Sequence, residues 1–440
     1  MAQLSRRDCR SVQSEISGYF SKIGELFSSS KSGEFKDSTA SFSRNGPLSA
    51  DLLVVLFLYL VADAGRSGYK VLLSSFWDEC RSHGIELPRE EAVSAAAFCK
   101  ARRKIKPDAF RALLNLAAEK FYAVHGEQFL WKGSRVLACD GTRISTQRGK
   151  DLSESLGEPT PGACPQIQVS TLYDVLAGLP LDLTVGPYTS NERADLTSML
   201  GHLKPGDILV LDRGYPSSRL IEELTARGIQ FLIPVKSSFK AVMEFVSSKG
   251  RDRTVHISPN MRIASGAQSL KLRAVRRPRK NKDGCVVFVT NIEQSRANAR
   301  ELDQLYAMRW KIEELYKIQK GTYLGQGQFH AKNVEGIHQE VYAFALFVAI
   351  TRGMMAKVER AFGIRFEDIS QKAALLALAS YVTRIFVDPC DKNSIKNIQH
   401  LVDRMSQHLD PPRPGRQYPR RSFKPLSRWT RTGKRKKLKR

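Results

Sequence analysis

Acid is what this sequence is short of. Its 440 residues carry 70 Lys and Arg against 44 Asp and Glu, leaving a net charge of +26 and a pI near 9.9. A surplus of that size points to a polyanionic partner, nucleic acid first and anionic membrane second. No apolar run reaches the ~18 residues that would span a bilayer. The longest runs, around 52–62 and 341–350, have the length of buried core helices. The opening "MAQLSRRDCRSVQSE" has no apolar stretch of the secretion-signal kind. No CxxC pair occurs, and the eight histidines show no zinc-ligand spacing near a cysteine. The seven cysteines (Cys9, Cys80, Cys99, Cys139, Cys164, Cys285 and Cys390) are odd in number and dispersed. These absences argue against a disulfide framework and a zinc site. The expectation is a soluble cytoplasmic protein with free thiols, associated with the nucleoid and not with a membrane.

With 42% hydrophobic residues, the chain has enough apolar side chains for one large domain or two to three ordinary ones. No internal repeat is visible. Residues 1–46 read as an N-terminal helix followed by a Ser-rich linker from about 28. Residues 47–130 have helical periodicity throughout, with Pro88 expected at one helix start and Pro107 between two helices. From about 134 the period becomes that of strands: "RVLACD", then "QIQVSTLYDVLAGLPLDLTV" as two strands joined at 177–178. "NERADLTSMLGHL" follows as a helix with an Asn cap, then the strand "DILVLD", the helix "SRLIEELTARG" and the strand "FLIPV". An α/β core is therefore expected over 131–235 and 299–360, interrupted by a β-rich insertion at 236–298. A C-terminal helical region is expected at 361–410. The tail, 411–440, has thirteen Lys or Arg and no acid.

Asp140 and Asp212 share a context, since each is expected to close a buried apolar strand with Gly one or two residues on. Functional groups of open α/β sheets collect where strands end. "CDGTR" also reads as an ordinary hairpin turn, and Asp212 as a strand-to-helix cap. A third carboxylate comes from "YAMRWKIEELYKIQK", residues 306–320. On one helix Tyr306, Arg309, Glu313 and Lys320 fall within roughly 60° of each other. Taken alone, Arg309 and Glu313 could be a simple i,i+4 ion pair. Three convergent carboxylates without His or Cys suit Mg²⁺ or Mn²⁺. Two such ions would serve an in-line phosphoryl transfer.

Tyr306, Arg309, Glu313 and Lys320 fit the pattern Y-x2-R-x3-E-x6-K. That pattern resembles the insertion-sequence transposases of family four, a branch of the DDE superfamily. "DGTR" and "LDRGY" are similar to that family's two aspartate motifs, and the β-rich stretch lies where the family has its insertion. The likeness is good over roughly 134–350 and fainter over 88–112. It implies an RNase H-like mixed sheet flanked by helices, with a β-rich insertion and an α-helical N-terminal region. It implies that Asp140, Asp212 and Glu313 are the catalytic, metal-binding triad, taking two Mg²⁺ or Mn²⁺ ions. Arg309, Lys320 and Tyr306 would hold phosphates of the element end, and Trp310 is a candidate for stacking on an extruded base, or else a core residue.

Further DNA contacts are expected from Arg213 and from Arg102, Arg103 and Lys104, which loosely suggest a helix-turn-helix. A solvated basic face is the plainer reading of that cluster, as it is of the turn at 276–282. The tail reads equally as a phosphate-binding or a solubilising segment. The expected partner is double-stranded DNA, at transposon ends and target, bound by a homodimer on paired ends. The expected activity is that of a DDE transposase cutting and joining those ends, with a hairpin route as one option. The alternatives are an RNase H-like nuclease without strand transfer and a catalytically silent DNA-binding protein.

Overall fold

In the computed structural model the described residues are 4–411 apart from 30–31, 39, 43–45, 64–66, 249, 258–269, 278–285, 324–328 and 392. The alternating apolar runs pair into a single eight-stranded sheet. Its strands are β1 (Val136–Ser145), β2 (Gln166–Asp174), β3 (Leu179–Pro187), β4 (Ile208–Val210), β5 (Gln230–Val235), β6 (Asp252–Ile257), β7 (Leu270–Arg276) and β8 (Val287–Thr290). Their order is β3-β2-β1-β4-β5-β8-β7-β6. β1 is parallel to β4 and β4 to β5, and every other pair is antiparallel. The first five strands have the RNase H-like arrangement that the resemblance implied. β2 turns into β3 at Gly178, whose φ of +66° lies in the left-handed region that glycine enters freely. The Asp174 carboxylate accepts the backbone N–H groups of Leu176 and Ala177, both at 2.9 Å, and closes the turn.

The stretch 236–298 was expected as an inserted unit. Its strands β6, β7 and β8 extend the core sheet, because β8 pairs with β5 from Leu232↔Thr290 to Val235↔Val287. The N-terminal helices are α1 (Arg6–Ser28), α2 (Ser32–Phe35), α3 (Ala50–Ala62), α4 (Tyr69–Ser82), α5 (Ala95–Arg102) and α6 (Pro107–His125). The helix expected from Pro88 begins only at Ala95, where the Ser94 hydroxyl accepts the Ala97 N–H at 3.1 Å. The segment expected as a linker is packed in part, with Phe42 stacked on Phe27 at 5.4 Å between ring centres. Within the core lie α7 (Lys150–Leu156), α8 (Glu192–Met199), α9 (Ser218–Ala226), α10 (Met243–Ser247), α11 (Ala299–Ala307), α12 (Trp310–Ile318) and α13 (Val334–Phe362). The chain continues with α14 (Gln371–Ala379), α15 (Val382–Phe386) and α16 (Ser394–Ser406). The helical region expected at 361–410 is thus interrupted at Ser380 and Tyr381, between α14 and α15. Most of the basic turn at 276–282, and the tail from 412, lie outside the described residues.

α13 has the length and apolar character to cross a bilayer, but 21 of its 29 residues are buried. It packs against the sheet at β3 and against α3, α6, α14 and α16, which makes it the central core helix. Its polar residues are tied to other elements. Arg102, expected on a DNA-contacting surface, is only 5% exposed. Its guanidinium donates to Gln339 Oε1 at 3.1 Å, to Gly336 O at 3.0 Å, to Glu340 Oε1 at 3.3 Å and to the Tyr69 hydroxyl. Glu340 also accepts the backbone N–H groups of His330 and Ala331. Arg102 therefore fastens α5 to α13, while Arg103 is exposed and Lys104 is half-buried over the Phe42 ring. The periodicity of "CKARRKI" carried no sign of which arginine would face inward.

Truncating one partner of a buried ion pair leaves the other charge uncompensated, at a cost of about 3–5 kcal/mol. Arg102→Ala should therefore lower the unfolding free energy by that much, whereas Arg103→Ala should stay within roughly 0.5 kcal/mol. Urea unfolding of both variants checks the contrast.

Candidate functional site

Parallel pairing sets the positions of both aspartates. The β1–β4 register ends at Ala138↔Val210, and Asp140 and Asp212 each lie two residues beyond that last pair. Both carboxylates thus leave the sheet side by side at its C-terminal edge, where open α/β sheets place functional groups. Asp140 does not end its strand, however. β1 runs on to Ser145 against β2, with Asp140 opposite Thr171 and Gly141 opposite Ser170, so "DG" is not a hairpin turn. Asp212 follows β4 as expected, and its carbonyl accepts the Tyr215 N–H at 3.1 Å.

The helix expected over 306–320 is divided. α11 ends at Ala307, α12 begins at Trp310, and a π-helical turn, Gln319–Tyr323, carries Lys320. Met308 and Arg309 keep helical dihedrals (φ/ψ −65°/−23° and −51°/−32°), so the polar stripe survives the break. Arg309 is its centre. The guanidinium, 6% exposed, reaches Asp140 Oδ2 at 3.3 Å and Glu313 Oε1 at 2.9 Å. Its Nε, also buried, has no hydrogen-bond partner among the described residues. The Tyr306 hydroxyl stands 3.5 Å from Asp212 Oδ1, at the limit of a hydrogen bond, and its ring packs on Phe288. Tyr316 donates to the Asp140 carbonyl at 2.6 Å.

A cavity of about 810 Å³ opens beside this group, lined by Asp140, Arg143, Glu313, Tyr316, Lys317 and Lys320. The structure thus gathers Asp140, Asp212, Tyr306, Arg309 and Glu313, with Lys320 on the cavity wall. Burial pushes the Lys320 ammonium pKa below its ordinary value. Trp310, 40% exposed, lines a different cavity, with Lys311, Arg352 and Lys372. Arg213 is exposed next to Asp212.

Sequence reasoning missed Tyr316 and Glu192. Tyr316 is three residues past Glu313 and could have been read from that helical spacing. Glu192, on the first turn of α8, accepts from Gln168 Nε2 at 3.1 Å. A Cβ added to Gly141 would stand 2.3 Å from both Glu192 Oε1 and Gln168 Nε2, so both side chains sit directly beside the Asp140 position. Nothing in "SNERAD" beyond an acid in a first helical turn marks that role.

Burial raises the Asp140 carboxyl most. Arg309 pulls it down, Glu192 and Glu313 push it up, and the result is a pKa of about 6. A carboxylate whose charge is disfavoured by burial and by neighbouring carboxylates is stabilised by a cation. The donor atoms are all oxygens, as a hard divalent ion prefers. Among the described residues no three acidic, His or Cys side chains yet share one ion-holding position. Arg309 provides the cationic charge between Asp140 and Glu313 instead.

A folded-state pKa above the unfolded value of 3.8 means that the folded chain binds this proton more tightly. The resulting stabilisation is complete below pH about 4 and is lost as the pH rises through about 6. At pH 7 without metal, Asp140→Asn should therefore be more stable than wild type, by about 1–3 kcal/mol. The difference should close towards pH 4, as followed by thermal melts between pH 4 and 8.

Residues 131–350, half of the chain, match the family model described as the transposase DDE domain. The chain is 22% identical over 246 residues to the transposase for insertion sequence element IS231D of Bacillus thuringiensis subsp. finitimus, covering 44% of this chain and 51% of that one. It is 20% identical over 245 residues to the IS231F transposase of B. thuringiensis subsp. israelensis, with the same coverage. It is 32% identical over 81 residues to the IS231C transposase of subsp. berliner, covering 18% and 17%. The chain spans about half the length of the IS231D and IS231F relatives. Among solved structures, a piggyBac transposase synaptic complex with hairpin DNA aligns over 91% of this chain and 87% of that one, with a TM-score of 0.46 and 13% identity. With its family match centred on the strands and helices that carry Asp140, Asp212 and Glu313, the chain belongs to the DDE transposase-domain family.

Proposed function

We propose that this protein is a DNA transposase that cuts and joins insertion-sequence ends, of the family-four branch that the Tyr306–Arg309–Glu313–Lys320 pattern resembles. The observation that carries the reading is the pairing of Asp140 and Glu313 with one buried arginine at the C-terminal edge of an RNase H-like sheet, with Asp212 level with Asp140 and met by Tyr306. Asp140, Asp212 and Glu313 would hold two divalent ions, Mg²⁺ or Mn²⁺. Bound there, the ions would supply charge stabilisation for the attacking and leaving oxygens of an in-line phosphoryl transfer. Two carboxylates paired with Arg309 would then exchange that pairing for the ions. The freed guanidinium, already with an unmet Nε donor, would take a phosphate oxygen.

Lys320 and Lys317, on the cavity wall, would place positive charge along the same strand, and Tyr306 would approach the terminal phosphate. Half-burial of Lys320 raises the worth of such a contact, because less water screens it. Arg213, Arg103 and Lys104 would contact flanking duplex without reading its sequence. A base extruded along a hairpin route would need an aromatic face, and Trp310 presents one on the neighbouring cavity. Joining two ends calls for two copies of the chain, hence a homodimer on DNA, acting in the cytoplasm at the nucleoid.

The test uses purified protein and supercoiled DNA that carries the terminal repeats flanking its own gene. Wild type should release the element and insert it, only with Mg²⁺ or Mn²⁺. Glu313→Gln should lose at least roughly 10²-fold in both products, since it removes several kcal/mol of charge stabilisation. Cleavage without joining would favour a nuclease. Equal DNA binding by both proteins, with no cutting by either, would leave the stripe as scaffold and end the transposase reading.

A further inference from the structure

The turn that carries Asp212 is held from outside by a residue on a different element. Arg193, on the first turn of α8, donates from Nε and Nη2 to the carbonyl of Gly214, at 2.8 and 2.6 Å. Gly214 is two residues past Asp212, is exposed, and has nothing within 4 Å of where a Cβ would stand. Gly214 itself therefore has no side-chain packing to fix its place between the buried Leu211 and Tyr215, and its carbonyl is held by hydrogen bonds. Of two further holds, one closes the turn on itself and the other ties it to β1. Asp212 O accepts the Tyr215 N–H, and the buried Tyr215 hydroxyl lies 3.8 Å from Cys139 Sγ, next to Asp140.

α8 is itself anchored. Ser170 on β2 donates to Asp195 at 2.6 Å, Gln168 on β2 donates to Glu192, and the Asn191 side chain caps the helix. Its first turn thus touches both aspartates' surroundings: Glu192 beside Gly141, and Arg193 on the turn of Asp212. An arginine fork fixes orientation as well as distance, more than a point charge does.

We propose that Arg193 is a positioning residue for Asp212, holding its turn level with Asp140 so that the two carboxylates face a shared cation. The purpose assigned to this hold rests on the metal-binding reading of the site. Partners of this outer kind typically change metal affinity by 10–100-fold when removed.

The experiment compares full-length wild type with Arg193→Ala, Arg193→Lys and Asp212→Asn. It measures Mn²⁺ binding by calorimetry, amide exchange over residues 211–216 in metal-free protein, melting temperature, and affinity for a DNA duplex without metal. Arg193→Ala should weaken Mn²⁺ about tenfold and speed exchange at Tyr215, with melting temperature and DNA affinity unchanged. Arg193→Lys, with one donor group in place of the fork, should fall between. Unchanged Mn²⁺ affinity and unchanged exchange in Arg193→Ala would overturn the proposal. So would a loss of DNA affinity with exchange intact, which would make Arg193 a phosphate contact. If wild type and Asp212→Asn bind Mn²⁺ equally, the metal-binding reading fails instead. Exchange at Tyr215 then reports separately whether Arg193 holds the turn.

Discussion

Three hydrogen-bonded residue pairs, Val136↔Ile208 to Ala138↔Val210, decide the geometry of everything that follows in this molecule. They are the only strand pairing between β1 and β4 among the described residues, and they set Asp140 and Asp212 at one level. A slip of one residue would turn each side chain to the opposite face of the sheet. Short as it is, this ladder is protected on both sides, by the long antiparallel β1–β2 pairing and by the parallel β4–β5 pairing. All three β4 side chains and Val136 to Cys139 are fully buried, so the register is also specified by packing. The site inherits its precision from a part of the core that solvent does not reach.

The second constraint is electrostatic. Asp140, Glu313 and Glu192 bring like charges towards a partly dry region, and such a group is unfavourable without a cation. Arg309 supplies one from inside. It does so from the junction of α11 and α12, where a helix would ordinarily bury apolar side chains. The arrangement favours folding of the chain on its own while leaving the carboxylates only weakly committed to each other. Charge of the same sign as Arg309, arriving from solution, meets a region already shaped for it.

How far these features could be read from residues alone depends on how local their causes are. Strand runs, the Asn191 cap, the turn at Gly178 and the polar stripe from Tyr306 to Lys320 follow from periodicity and turn chemistry over a few residues, and the structure has all of them. The strand through Asp140 reads as too short because Asp-Gly is a strong local turn signal, and the β2 partner that overrides it is 21–37 residues away. Arg102 was placed on the wrong side of its helix because Glu340 and Gln339, which receive it, are more than 230 residues distant. Glu192 was not singled out for the same reason. Its meaning comes from Gly141 and Gln168, and from nothing in its own neighbourhood. The outward path of 236–298 was legible as strands, but its pairing with β5 was not.

That pairing has an evolutionary corollary. After β5 the chain crosses to the far edge of the sheet as β6 and comes back through β7 to β8, the immediate neighbour of β5, before entering α11. The two ends of the intervening segment are therefore fixed next to each other by the sheet itself. For a flexible segment, loop-closure entropy grows only logarithmically, about 0.6 kcal/mol for each doubling of length. The segment between β5 and β8 is thus free to lengthen, shrink or be exchanged for another module while Asp212 and Glu313, upstream and downstream of it, keep their separation. Lineages that share this frame are free to acquire new outer architecture without relearning their chemistry.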